Sequence, residues 1–321
     1  MTPRIVSLFV AVLALSGTHA APTERDTFVT LGTHGGPLPD AKRSEAANAL
    51  VIDRAVYLVD AGDGAADQLA KAGLSLGALR GVFISHLHFD HTGGLFAVLG
   101  LRHQTKAPGK LRIYGPPGTK ETVAGLVAAI RPGAVSGYGV PGEEIIPPED
   151  TVEVIEIRDG AHLSLDGFTV TAAENSHYSF PAGSDMDKRF DSLSFRFDLP
   201  DRSIVYTGDT GPSDAVTALA KGADVLVSEL IDAQVASSMV PPPNGTDAEN
   251  KRFQVMKQHL GTHHLTPEQI GRMASEAKVG RVVITHLVPS RKPDVAIDSY
   301  VAEIQKSYSG PVEIANDLNR Y

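Results

Sequence analysis

The 321-residue sequence contains no cysteine. That excludes disulfides and any thiolate metal ligand. Positive charge is also scarce: 29 lysines and arginines face 38 aspartates and glutamates, a formal net charge of −9 with a pI near 5.7. There is no basic stripe to replace the counterions of a nucleic acid, which argues against a polyanionic partner. No run approaches transmembrane length, so the mature chain is not expected to insert stably in a membrane. No short-period repeat is visible, which argues against a solenoid or propeller. What remains is ordinary for a globular protein, 42% hydrophobic and 21% charged, enough for one large domain or two modest ones.

The N-terminus reads as a secretory signal. Arg4 supplies a positive start, Ile5–Leu15 an apolar stretch too short to span a bilayer, and Thr18-His19-Ala20 a small-residue cleavage site. The expected division is therefore a signal peptide over residues 1–20 and one catalytic domain over 21–321. Export without cysteine fits a bacterial periplasmic or secreted enzyme.

Gly81-Val82-Phe83-Ile84 reads as a short buried strand. Directly after it comes Ser85-His86-Leu87-His88-Phe89-Asp90-His91, with four potential metal ligands in six residues. A loop at the end of a strand lets a rigid sheet aim them at one point. Imidazole with carboxylate suits zinc, and also manganese or iron. Three more candidates follow other apolar runs. His177 comes after the strand 168–173, Asp209 after Ile204–Thr207, and His286 after Val282–Thr285. Seven ligands from four strand ends are enough for two metals sharing a carboxylate. For Asp209 a plain turn role competes, since Gly-Asp is a common turn pair.

Elsewhere, a glycine-rich loop, Gly32–Pro37, ends the first strand. Asp63 is expected to cap a helix over 65–72, and a helix is expected from about Thr119 to Ile130, followed by an irregular excursion over 131–150. Asp60 reads as a turn residue or as a partner to a ligand histidine. Residues 232–262, with Pro241-Pro242-Pro243, read as an inserted loop or lid, helical after Asp247. Thr266-Pro267-Glu268 opens a helix. His103, His162 and His259 read as surface residues. Periodicity alone gives α/β or α+β.

The ordered set His86-x-His88-x-Asp90-His91, His177, Gly208-Asp209-Thr210 and Thr285-His286-Leu287 resembles the metallo-β-lactamase superfamily across about residues 25–315. The resemblance implies an α/β fold, a four-layer αββα sandwich with two Zn2+ ions at one edge, Mn2+ or Fe being the alternatives. It places His86, His88 and His177 on one metal, Asp90, His91 and His286 on the other, and Asp209 between them. The missing cysteine departs from the best-known zinc β-lactamases. His264-Leu265-Thr266, 22 residues before His286, is similar to the helper motif of the branch holding phosphodiesterases, arylsulfatases and transfer-RNA 3′-processing enzymes. So are the Leu38-Pro39 loop, Tyr57–Gly62 and Tyr114–Gly118.

The implied activity is hydrolysis of a small phosphate or sulfate ester by hydroxide formed on the metals. Asp90 would orient the nucleophile and His264 (or its neighbour His263) would serve the leaving oxygen. Glu229 is a candidate to orient His264, and His34, in the glycine-rich loop, a candidate substrate contact. No arm that would grip transfer RNA is visible. Without cysteine a formylglycine sulfatase is excluded, its serine route apart. A lactonase or weak β-lactamase of the same fold and a non-catalytic metal-binding protein are the rivals. Relatives in this branch are often dimers, which leaves a homodimer open; no interface can be read from the sequence.

Overall fold

The computed structural model describes residues 27–289 and 295–321; the expected signal peptide lies outside them. The chain forms two seven-stranded sheets. The first contains β1 (Thr27–Gly32), β2 (Ala47–Ile52), β3 (Ala55–Ala61), β4 (Leu79–Phe83), β5 (Leu111–Gly115) and β6 (Val152–Glu156). The second contains β7 (His162–Leu165), β8 (Phe168–Glu174), β9 (Leu193–Asp198), β10 (Ser203–Tyr206), β11 (Val225–Ile231), β12 (Arg281–Val288) and β13 (Val312–Ile314). The last strand, β14 (Asn319–Arg320), returns to pair with β1. Each sheet begins as an antiparallel meander and continues as parallel strands: β3 to β6 in the first, β10 to β13 in the second.

Helices cover the outer faces. α1 (Ala65–Lys71), α2 (Phe89–Thr92), α3 (Leu95–Gln104) and α4 (Thr119–Ser136) belong to the first half. α5 (Asp185–Arg189), α6 (Asp214–Leu219), α7 (Ala233–Met239), α8 (Asp247–Thr262), α9 (Pro267–Ala277) and α10 (Val295–Ile304) belong to the second.

The period-2 alternation of strands explains the layers. In β4, Phe83 faces the opposite sheet, where it meets Phe195 and Phe197. Its neighbour Val82 and the following Ile84 pack under the helices of the first half. In β11, Val225 and Val227 point between the sheets while Leu226 packs under α9. Both faces are buried, so these strands read as continuous apolar runs. The result is the four-layer αββα sandwich, with one core between the sheets and one under each helical layer.

Three local expectations are corrected. The helix from Thr119 runs on to Ser136 through Pro132. Pro132 and Ala128 lie on its exposed face, so the carbonyl that loses its partner meets water. Asp63 does not cap α1. Gly64 holds that position at φ 81, and the Asp63 amide is taken by Glu45 Oε2 at 3.2 Å. Residues 232–262 are mostly helical, with only the proline run between α7 and α8 irregular.

Candidate metal centre

The parallel strands all end at one edge, and the candidate residues collect there. At the end of β4 the loop is pinned before its first histidine. The Ser85 amide and hydroxyl donate to the two oxygens of Asp60 at 2.7 and 2.8 Å. The short α2 then turns Asp90 and His91 back towards His86, with the His91 amide donating to the His88 carbonyl.

Four groups of ligand atoms form among the described residues, each with its members within 4.8 Å of one another; two of them take in His264 (His177, His259 and His264; Asp209, Glu229 and His264), and the other two hold the expected ligands. One is His86, His88 and His177; the other is Asp90, His91, Asp209 and His286. Asp209 stands between them. Its Oδ1 lies 3.3 Å from His91 Nε2 and 3.2 Å from His286 Nε2, while Oδ2 lies 4.0 Å from His86 Nε2. Asp90 Oδ2 is 3.4 Å from His286 Nε2. In the first group His177 Nε2 approaches His88 Nδ1 at 3.1 Å.

The atoms that face inwards lack partners. Nε2 of His86, His91 and His286 and Oδ1 of Asp209 are buried without a hydrogen bond. Leaving so many buried polar atoms unsatisfied at one point is costly, and a divalent cation satisfies them together. The donor set, imidazole nitrogen and carboxylate oxygen, fits zinc. The charge balance points the same way. Burial pushes the His86 and His177 imidazoles well below their usual value, which keeps them neutral as ligands must be. Burial would do the same to His91 and His286, but Asp209 and Asp90 beside them push both up. Protons there hold places that a cation would take.

The outer nitrogens of three of the histidines are also committed. His91 Nδ1 donates to Asp60 Oδ2 at 2.8 Å, and His177 Nδ1 to the His263 carbonyl at 3.0 Å. His86 Nδ1 sits 3.1 Å from Ser85 Oγ. Each bond fixes the tautomer that leaves Nε2 turned inwards. Tyr206 Oη adds a fourth donor to Asp60, again at 2.8 Å. Of the two roles open to Asp60, the histidine partner is the one the fold uses.

His286 lies within β12 rather than after it. Pairing with β11 advances from Ser228↔Ile284 to Leu230↔Leu287, so β12 carries one extra residue there. His286 takes φ 42, a left-handed conformation that costs a non-glycine residue about 1 kcal/mol or more. The bulge re-aims its ring at Asp209. The glycine loop after β1 comes equally close. A Cβ on Gly35 would meet His286 Nδ1 at 2.8 Å, and one on Gly36 would meet Asp90 Oδ2 at 2.5 Å. The Gly36 amide instead donates to Asp90 Oδ2 at 3.1 Å.

Beside the second group, His264 Nδ1 donates to Glu229 Oε2 at 2.6 Å, both residues being buried. Burial alone would lower the His264 pKa; the Glu229 carboxylate outweighs it and holds the imidazole up at about 9. Glu229 also receives the Thr210 amide, next to Asp209, on Oε1. His263, the alternative to His264, turns its ring to His259 and gives only its carbonyl to the centre.

Two histidines depart from expectation. His34 is buried with Nε2 on the Leu38 carbonyl, and its backbone is bridged to Glu45 and Leu287. The cleft is bordered at that loop by Gly36 and Pro37 instead, so His34 is not placed to touch a substrate. His259, read as a surface residue, lies in the cleft because α8 folds across it. Its Nε2 is 3.4 Å from His264 Nε2, and burial with the neighbouring His264 lowers its pKa to about 4. The only hint in the sequence was its four-residue spacing from His263.

The cleft over these groups holds about 640 Å³. Its polar lining includes His88, Asp90, His177, Asp209, His264 and His286, and its apolar lining Phe89, Tyr178, Phe180, Val255, Met256 and Leu260. No lysine or arginine lines it among the described residues.

Residues 56–287 match the family described as the beta-lactamase superfamily domain. A ribonuclease Z from Mycobacterium sp. (strain KMS) is 30% identical over 294 residues, which cover 91% of this chain and 94% of that one. The metallo-beta-lactamase fold protein YhfI from Bacillus subtilis superimposes with a TM-score of 0.65 at 20% identity, over 92% of this chain and 98% of its own. Zn2+-bound PqqB from Methylobacterium extorquens gives 0.61 at 16% identity, over 92% and 99%. With a family match over most of its length and a fold to go with it, this chain belongs to the metallo-β-lactamase superfamily of metal-dependent hydrolases, among the relatives of ribonuclease Z.

Proposed function

We propose that the protein is an exported dinuclear zinc hydrolase that cleaves small phosphate or sulfate esters. The observation that carries the reading is the position of Asp209, one carboxylate facing both ligand groups, with the His264–Glu229 pair 4.0 Å from it. His86, His88 and His177 would hold one ion, and Asp90, His91 and His286 the other. Zinc bound there supplies an acidified water and positive charge for the attacked centre. The rest is the work of the chain. Asp90, held by the Gly36 amide, orients the attacking water. His264, protonated at neutral pH through Glu229, turns Nε2 to the cleft and gives its proton to the leaving oxygen. An oxygen-rich phosphorus or sulfur centre makes better use of such a donor than a carboxylic ester, which ranks the lactonase reading lower. The signal-like sequence expected over residues 1–20 supports export.

The name of the mycobacterial relative favours a second reading, RNA hydrolysis. Against it stand the net charge of −9 and a cleft wall without lysine or arginine, which offer a polynucleotide no cationic track. The test is a panel on the zinc-reconstituted mature protein: bis-p-nitrophenyl phosphate, p-nitrophenyl sulfate, an aliphatic lactone and a transfer-RNA precursor. Zinc-dependent turnover of the phosphate or sulfate is expected. Turnover of the lactone alone, of the precursor alone, or of nothing would overturn the reading.

A further inference from the structure

The proposed reaction employs only the polar residues of the cleft. The apolar ones have a chemistry of their own. Phe89 stands inside the metal-ligand loop, between His88 and Asp90, yet is 76% exposed. A large apolar side chain left open beside a reaction centre is informative, because burial elsewhere was available to it. Its ring rests on Gly93, where a Cβ would come within 2.8 Å of it. Phe180 lines the same cleft, packed on Tyr178 with ring centroids 5.2 Å apart. To the same lining α8 contributes Val255 and Met256, 58% and 44% exposed. So two elements far apart in sequence each leave apolar side chains open towards one gap, and that gap is continuous with the ligand atoms. Phenylalanine rings and a methionine thioether in one lining favour a flat π-system over a charged or strongly hydrated group. The lining, without lysine or arginine among the described residues, offers a second anionic group no cation. The volume, about 640 Å³, suits a small molecule.

We propose that Phe89, Phe180, Val255 and Met256 form a subsite for a neutral aryl group carried by the substrate, so that the ester is amphiphilic, its anionic head at the histidines and its aromatic body under α8. This rests on the hydrolase reading for its head group and adds the class of the remainder. Aryl esters are also intrinsically more reactive than alkyl esters, so turnover alone cannot test it; binding of inert analogues can.

The experiment is equilibrium binding to the zinc-loaded protein of 1-naphthylphosphonate, followed by fluorescence anisotropy, with methyl-, hexyl- and phenylphosphonate as competitors. The chain has no tryptophan to interfere. Phenylphosphonate is expected to bind about tenfold or more tightly than methylphosphonate, and more tightly than the hexyl compound. In Phe89→Ala and Met256→Ala the phenyl-to-methyl ratio falls towards one. Both side chains are exposed, so both variants are expected to fold, and circular dichroism checks this. Equal binding of phenyl and methyl compounds, a hexyl compound that binds as well as phenyl, ratios unmoved in the variants, or no phosphonate binding at all would each overturn the proposal. Failure of the hydrolase reading looks different: no ester in the panel is turned over, while the preference for aryl phosphonates persists.

Discussion

Asp60 Oδ2 accepts a hydrogen bond from His91 Nδ1 at 2.8 Å, with both side chains sealed from solvent. The same carboxylate takes the Ser85 amide, the Ser85 hydroxyl and the Tyr206 hydroxyl. One residue at the end of β3 thus fixes the start of the ligand loop, one ligand ring and a strand of the opposite sheet. Asp60→Asn keeps the shape and the left-handed backbone at φ 60 but removes the charge. Zinc affinity is expected to fall about 10- to 100-fold. Competition titration with a chromophoric chelator measures this, and an unchanged affinity would refute the role of Asp60.

Gly36 tests the second ligand group without replacing a ligand. A methyl group there would press on Asp90, whose Cβ, Cγ and Oδ2 lie 2.5–2.6 Å from where the added carbon would sit. Gly36→Ala is expected to lower bound zinc from two ions per chain towards one, read by elemental analysis after dialysis. Retention of both ions would show that Asp90 is free to move.

His264→Ala is expected to keep both metal ions and to lose turnover by ~10²-fold or more, the range for a general acid. A variant with normal turnover would move the proton donor to water.

The pH profile carries the sign of the His264–Glu229 pair. A group that acts as an acid works while protonated, so activity is present below its pKa and lost as pH rises through it. Glu229 is what lifts His264 to about 9 against burial. Glu229→Gln therefore moves the alkaline limb of kcat to lower pH, with a larger loss at pH 8 than at pH 6. A limb that stays in place would detach Glu229 from the chemistry.

Phe83 holds the two sheets together. It is fully buried, stacked on Tyr114 at 4.9 Å and in contact with Phe195 and Phe197. Phe83→Ala is expected to cost roughly 3–5 kcal/mol, measured as a lower denaturation midpoint in urea.

Much of the centre is legible in the sequence, because its densest part is local. His86, His88, Asp90 and His91 lie within six residues, and His177 and Asp209 follow apolar strands whose ends a sheet brings together. What escapes depends on packing over distance. His286 is aimed by a bulge that only the pairing of β11 with β12 reveals. His259 enters the cleft because of where α8 docks, and helical periodicity does not say against what a helix packs. His34 fails for the opposite reason: its loop does border the centre, but the adjacent glycines make the contact and its own ring turns to Leu38.

The central claim is a two-metal centre that hydrolyses esters, and stepwise zinc titration of metal-free protein while following bis-p-nitrophenyl phosphate turnover tests it most directly. A two-metal centre predicts no turnover without zinc and a rise that levels off at two equivalents per chain. Turnover in the metal-free protein, or two tightly bound equivalents with no turnover, would contradict it.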